Sequence, residues 1–133
     1  MIPSYCRPWR RPHEYRPLLG CRPRHARSDG LAEFYSAITG WEVDEPFDDG
    51  HWIELKSDSG VTIAFQLAPD HVPPSWPDPE HPQQAHLDFV VDDIEAAEQQ
   101  VLELGARKAE HQPGPTWRVY IDPAGHPFCF VHS

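Results

Sequence analysis

Residues 85–105 read AHLDFVVDDIEAAEQQVLELG, and this stretch decides the fold. Its first seven residues are rich in apolar and β-branched side chains, which is typical of a strand. Asp92 and Glu95 then have the spacing of a capping box, which marks the start of a helix. The apolar face of that helix is formed by Ile94, Ala97, Val101 and Leu104. Gly105 can end it by adopting a positive φ, so a strand followed directly by a helix is predicted.

Three more strands are predicted after this helix. They are expected at residues 106–110, 117–121 and 127–132, with turn-forming residues between them. Residues 85–133 therefore form a strand, a helix and three strands, a βαβββ arrangement that we call the second module.

Almost the same order of elements comes earlier in the chain. A helix with an apolar stripe is predicted from about Ser28 to Gly40. Three alternating stretches follow it, at residues 41–44, 51–56 and 61–67. Only the opening strand is poorly defined, because Leu18-Leu19-Gly20-Cys21 is its sole candidate. We therefore predict an α+β fold of two tandem βαβββ modules.

Charge and proline content divide the chain into two parts. Residues 1–27 carry seven arginines, one acidic residue and five prolines, and they are expected to be disordered or outside the folded pattern. A genuine extension and a frameshifted start both fit this leader. Residues 28–133 carry four basic and 20 acidic side chains. They are expected to form one domain, with module one at 28–67, a proline-rich linker at 68–84 and module two at 85–133.

Several classes of function are disfavoured by the composition. The acidic body repels phosphate backbones, so no nucleic-acid partner is expected. No apolar run approaches the roughly 20 residues of a membrane helix, and we expect no membrane partner. Cys6, Cys21 and Cys129 form neither a disulfide framework nor a Cys-x-x-Cys metal site, which favours a cytoplasmic location. The sequence contains no G-x-S-x-G nucleophile motif and no glycine-rich phosphate loop.

The ordered motifs of the two modules resemble the vicinal oxygen chelate superfamily of glyoxalases, bleomycin resistance proteins and dioxygenases. They are Leu31–Tyr35 with Gly40–Val43, Trp76–Glu80, His86–Phe89 with Val91–Asp93, Leu104–Ala106, and Asp122–Phe128. Within the superfamily, the chain is most similar to actinobacterial glyoxalase-like domain proteins. The resemblance implies that the modules curl as a mixed sheet around a shared small-molecule cleft. It also implies a homodimer.

The resemblance suggests where a metal would bind. In the metal enzymes of the superfamily, the first and last strands of each module supply four ligands to one divalent ion. His86 matches one of these positions, whereas Gln66 and Cys129 fall near positions where glutamate is common. The fourth ligand has no assigned position, although Cys21 and His25 lie nearby. Because this chelation chemistry favours carboxylate over thiol, we expect no metal cofactor; a divalent ion that retains His86 is the alternative.

We therefore expect the cleft to bind a small organic metabolite or antibiotic. The polar candidates for contact with this ligand are Gln66, His86 and Cys129, and the aromatic candidates are Trp52, Trp117 and Tyr120. The alternative is a metal-dependent lyase, isomerase or dioxygenase, and no catalytic residue is assigned for it.

Strand alternation divides the aromatic candidates. Trp117 and Tyr120 differ in parity and should face opposite sides of a regular strand. If Gln66, His86 and Cys129 face the cleft, Phe65 and Phe128 should pack beneath the helices.

Overall fold

A computed structural model describes residues 28–47 and 50–133. The chain divides into two compact units, of which the first ends at Pro69 and the second spans Asp70–Ser133. The predicted leader, with the candidate opening strand, Cys21 and His25, lies outside the described residues. Two helices occur in the described part of the chain, and neither is long and apolar enough to cross a membrane.

The first unit contains one helix and one antiparallel sheet. Helix α1 spans Ser28–Thr39, and strands β1 (Glu42–Val43), β2 (Trp52–Lys56) and β3 (Thr62–Gln66) pair in the order β1-β2-β3. The ring of Tyr35 in α1 stacks on Phe65 of β3 with 5.6 Å between the ring centroids. Phe65 is 8% exposed, so the prediction that it packs beneath the helix is confirmed.

The second unit contains a complete βαβββ module. Its elements are β4 (Leu87–Val91), α2 (Ile94–Glu103), β5 (Arg107–Lys108), β6 (Trp117–Ile121) and β7 (Pro127–His132). The strand order is β4-β7-β6-β5, with β4 parallel to β7 and the other two pairs antiparallel. A parallel pair needs a long crossover, and this crossover includes α2. The α+β fold predicted from the sequence is confirmed.

The two faces of the second sheet differ sharply. One face carries Tyr120, Phe128 and Phe130, all fully buried on the side of α2. The Tyr120 hydroxyl donates a hydrogen bond to Glu98 Oε2 of α2 over 2.7 Å, which fixes the helix on this face. Side chains of the opposite parity, including Cys129, must point to the other face. The predicted packing of Phe128 beneath a helix is therefore confirmed.

The start of α2 differs by one residue from the prediction. Asp93 is the N-cap, and its Oδ1 accepts a hydrogen bond from the Ala96 amide at 2.9 Å. The predicted capping box of Asp92 and Glu95 is therefore wrong. Asp92 Oδ1 instead accepts a hydrogen bond from the Ser133 hydroxyl at 3.3 Å. Because Asp92 and Asp93 are adjacent, either could cap α2 as judged from the sequence, and only the backbone geometry distinguishes them.

Strand β5 is shorter than the predicted residues 106–110. At its start, the Ala106 amide donates to Val101 O at 3.1 Å and so belongs to the end of α2. Beyond its end, the side-chain amide of Gln112 also pairs with β6. Gln112 Oε1 accepts from the Val119 amide and Nε2 donates to Val119 O, both at 2.9 Å. Since the Ala109 amide also donates to Val119 O at 3.0 Å, the Gln112 side chain supplements the main-chain pairing at this position of the sheet.

The proline-rich segment predicted as a linker packs within the second unit from Asp70 onward. His71 Nε2 lies 2.9 Å from Ala124 O, in the turn between β6 and β7. In the same turn, a Cβ added to Gly125 would lie 2.6 Å from Pro73 Cβ, so only glycine permits this approach. Farther along, Ser75 N donates to His81 O at 2.9 Å and closes a loop around Trp76. These contacts hold Trp76 in the second unit.

Two substitutions test the assigned helix cap. Asp93→Ala should lower the free energy of unfolding by about 1 kcal/mol, because the first turn of α2 loses its side-chain acceptor. Asp92→Ala should change it by less than about 0.5 kcal/mol, because only an exposed hydrogen bond is lost. Urea denaturation followed by circular dichroism measures both values. An equal or larger loss in Asp92→Ala would contradict the assignment.

Candidate functional site

A pocket of about 300 Å³ lies in the second unit. Its volume falls at the small end of the range of roughly 300–1,000 Å³ for small-molecule sites. The lining residues come from the proline-rich segment, the three longer strands and the loop before β6. They are Trp76, His86, Asp88, Pro113, Trp117, Val119, Cys129 and Val131.

The strand register explains why these side chains meet. Asp88 of β4 pairs with Cys129 of β7, and Cys129 pairs with Val119 of β6. These three residues therefore form one row across the sheet, on the face opposite α2. His86 lies two residues before Asp88, and Trp117 lies two residues before Val119. Trp117 points to the face of the same row, because side chains alternate along β6. His86 immediately precedes β4 and lines the same pocket.

A polar corner occupies one end of the pocket. His86 Nε2 lies 3.3 Å from Asp88 Oδ1, and His86 Nδ1 lies 3.1 Å from Gln83 Oε1. The ligand-capable atoms of His86, Asp88 and Cys129 all lie within 4.8 Å of one another. The side chain of Asp88 is 63% exposed, whereas that of His86 is 27% exposed. The carboxylate is therefore the more accessible of the two groups.

The thiol of Cys129 is buried beneath this corner and is only 5% exposed. Burial raises the pKa of the thiol to about 11, and the negative charge of Asp88 and a hydrogen bond to it act in the same direction. The thiol therefore keeps its proton at neutral pH. A protonated thiol is a poor nucleophile, because the thiolate is the reactive form.

Two tryptophans form the apolar walls. The Trp117 ring lies against Gly114, where an added Cβ would come within 2.3 Å of a ring carbon, so the backbone approaches the indole closely. The Trp76 ring lies 5.5 Å from His111, measured between ring centroids. One wall therefore belongs to a sheet strand and the other to the proline-rich segment.

Three of the side chains predicted from the sequence meet in this pocket, namely His86, Trp117 and Cys129. Tyr120 does not line it. That residue is fully buried on the α2 face, where burial and the hydrogen bond to the Glu98 carboxylate raise the pKa of its hydroxyl. Tyr120 therefore lies on the sheet face opposite this pocket, because its parity differs from that of Trp117, and its role as a ligand contact is untested.

Gln66 and Trp52 belong to the first unit, where they pair directly across β3 and β2. Both have the opposite parity to the buried side chains Phe65 and Ile53, and they lie on the sheet face away from α1. Trp52 Nε1 donates a hydrogen bond to Glu54 Oε1 at 3.0 Å. Their role as ligand contacts stays a prediction.

Asp88 and Trp76 were not among the site residues predicted from the sequence. The position of Asp88 could have been predicted, because a His-x-Asp pattern on a strand puts both side chains on one face. No sequence pattern predicts the position of Trp76, since that position depends on a loop between prolines. The other unselected lining residues, Pro113, Val119 and Val131, are apolar and carry no chemical signature.

Solved structures with the same fold come from several bacteria. One from Bacillus cereus, described as a possible glyoxalase, is 14% identical and has a TM-score of 0.57, covering 80% of this chain and 89% of that chain. A glyoxalase-related enzyme from Fulvimarina pelagi is 16% identical with a TM-score of 0.55, covering 79% of each chain. A glyoxalase/bleomycin resistance protein/dioxygenase family enzyme from Burkholderia phytofirmans PsJN is 18% identical with a TM-score of 0.54, covering 78% of this chain and 88% of that chain. At these identities the likeness concerns the fold alone.

The sequence itself defines the family. No curated protein matches the chain. The family model described as "Glyoxalase-like domain" matches residues 23–131, which is most of the chain and includes every residue that lines the pocket. The chain belongs to the glyoxalase-like domain family.

Proposed function

We propose that the protein binds a small organic ligand in the pocket of the second unit. The observation that carries this proposal is a cavity of about 300 Å³ that combines two tryptophan walls with a single polar corner. Ligand sites of this kind take most of their affinity from apolar contact, and a few polar groups fix the orientation. Here, Trp76 and Trp117 provide the apolar contact, and His86 with Asp88 provides the orientation.

The state of Cys129 supports binding over covalent chemistry. Its pKa of about 11 keeps the thiol protonated at neutral pH, and its position beneath Asp88 keeps it buried. A nucleophilic cysteine needs the opposite environment, with a lowered pKa and an adjacent base or positive charge. Cys129 therefore acts as part of the pocket floor.

A second candidate function is metal-dependent chemistry at the polar corner. The observation in its favour is that His86, Asp88 and Cys129 bring three donor atoms within 4.8 Å of one another. Imidazole nitrogen, carboxylate oxygen and thiolate sulfur are all zinc ligands, so the chemistry of these three side chains suits a zinc ion. A bound ion would supply Lewis-acid chemistry to a substrate oxygen. We favour the metal-free site, because the chelation chemistry of this superfamily favours carboxylate ligands over a thiol.

We also propose three further properties of the protein. The protein falls in the actinobacterial glyoxalase-like subgroup, functions in the cytoplasm and assembles as a homodimer. In support of the homodimer, β4 pairs on one side only among the described strands, and its Val90 is 62% exposed. Unpaired strand edges with apolar side chains favour association.

A thermal-shift screen against small metabolites and antibiotics tests ligand binding. At a ligand concentration one hundred times Kd, binding to the native state should add about 2.7 kcal/mol to its stability and raise Tm. Trp117→Leu should weaken the response at least about tenfold in Kd, because it removes one aromatic wall.

Tyr120→Phe is the matched control for this screen. It alters the same strand on the opposite face, so it should retain the Kd of the parent protein even if its own Tm falls. Loss of binding in Tyr120→Phe with retention in Trp117→Leu would contradict the proposed location. A library in which no compound raises Tm would contradict the proposed function.

Elemental analysis of protein purified without chelators separates the two candidate functions. We expect well under one equivalent of zinc, iron, manganese or nickel per chain, because the favoured site needs none. His126→Ala serves as a control, since His126 contacts Asp122 and does not line the pocket. About one ion per chain that disappears in His86→Ala and persists in His126→Ala would establish the second candidate.

A further inference from the structure

We propose that the ligand of this pocket is an organic cation, namely a small aromatic or apolar molecule that carries an amine. This inference rests on the proposed function and further specifies that the ligand is positively charged. It follows from the partners of Asp88, from the positions of the basic side chains and from the two tryptophan walls.

The carboxylate of Asp88 lacks a permanently charged partner among the described residues. Its one ion pair is with His86 at 3.3 Å, and that imidazole is charged only when protonated. The lysine and arginine ion pairs of the second unit lie elsewhere and involve Glu95 and Glu98. The polar corner therefore carries a carboxylate charge that no lysine or arginine of the described residues compensates. That charge is 63% exposed at the pocket.

The basic side chains of the second unit are positioned away from this corner. Lys108 and Arg118 lie on the α2 face, where Lys108 Nζ is 2.9 Å and Arg118 Nη1 is 3.1 Å from Glu98 Oε2. Arg107 is on β5, the edge strand at the other end of the sheet from β4. Residues 70–133 contain eleven acidic and three basic side chains, a balance of −8. A carboxylate or phosphate ligand would therefore meet repulsion without compensation.

The walls favour the same class of ligand. The negative face of an indole ring attracts a cation, and tryptophan is the most effective aromatic residue for this contact. Trp76 and Trp117 line the pocket together with Asp88, so an ammonium group could meet a carboxylate and aromatic faces at once. A neutral ligand would gain only the apolar part of these interactions. An amine-bearing aromatic compound uses all of the groups present.

Three probes of nearly equal size separate charge from apolar contact: tryptamine, tryptophol and indole-3-propionate. Their dissociation constants are measured by isothermal titration calorimetry at pH 8, where an imidazole is ordinarily neutral, and at low salt. Tryptamine should bind about tenfold or more tightly than tryptophol, which corresponds to one favourable ion pair. Indole-3-propionate should bind most weakly. Added salt should weaken tryptamine binding and leave tryptophol binding nearly unchanged.

Asp88→Asn should remove the preference for tryptamine over tryptophol and leave tryptophol affinity within about twofold. The control is Glu103→Gln, which makes the same change in net charge at an exposed position at the end of α2. It should retain the full preference. Circular dichroism and Tm verify that both variants fold, as expected for exposed side chains.

The outcomes distinguish this inference from the proposed function. Equal affinity for tryptamine and tryptophol, tightest binding of indole-3-propionate, or no binding of any probe would overturn the organic-cation assignment. So would a preference that survives in Asp88→Asn. The proposed function would still stand if a neutral or anionic compound bound and Trp117→Leu weakened that binding. It would fall only if the wider screen found no ligand.

Discussion

The parallel pairing of β4 with β7 is the constraint on which the candidate site depends. It places Asp88 beside Cys129, although 41 residues separate them in the chain. Strands that pair in parallel cannot be joined by a tight turn, so the chain must cross over before returning. Helix α2 belongs to that crossover, and its capping by Asp93 sets where it begins. The register of one strand pair therefore determines which polar side chains meet.

The two faces of this sheet have different roles, since one forms the apolar core and the other forms the pocket. On the α2 face, Tyr120, Phe128 and Phe130 are fully buried and form the core of the second unit. On the opposite face, the row of Asp88, Cys129 and Val119 forms the floor of the pocket. Because the side chains alternate, a slip by one residue would exchange core and pocket residues. The apolar core therefore also protects the geometry of the site.

Much of this architecture could be predicted from the sequence. The apolar periodicity predicts the residue limits of β6 and β7, and strand parity predicts that Trp117 and Tyr120 face opposite sides of the sheet. Interactions without periodicity could not be predicted. One of them is the pairing of the Gln112 side-chain amide with Val119 of β6. Another is the choice between Asp92 and Asp93 as the helix cap, which depends on the local backbone conformation.

The candidate site was harder to predict than the fold. His86 and Cys129 could be predicted from the resemblance to the superfamily, and Asp88 could be predicted from strand alternation. Trp76 was not, because its position depends on contacts of His71 and Pro73 with the turn between β6 and β7. Loops held by such individual contacts leave no periodic pattern in a sequence.

Two-dimensional ¹H–¹⁵N NMR of the indole groups tests the central claim, that the second-unit pocket is the ligand site, most directly. The five tryptophans give resolvable signals that single Trp→Phe variants can assign. Titration with a ligand that raises Tm should shift the indole signals of both Trp76 and Trp117 along one saturable curve with a common Kd. A ligand that stabilises the protein while both signals remain unchanged would contradict the account.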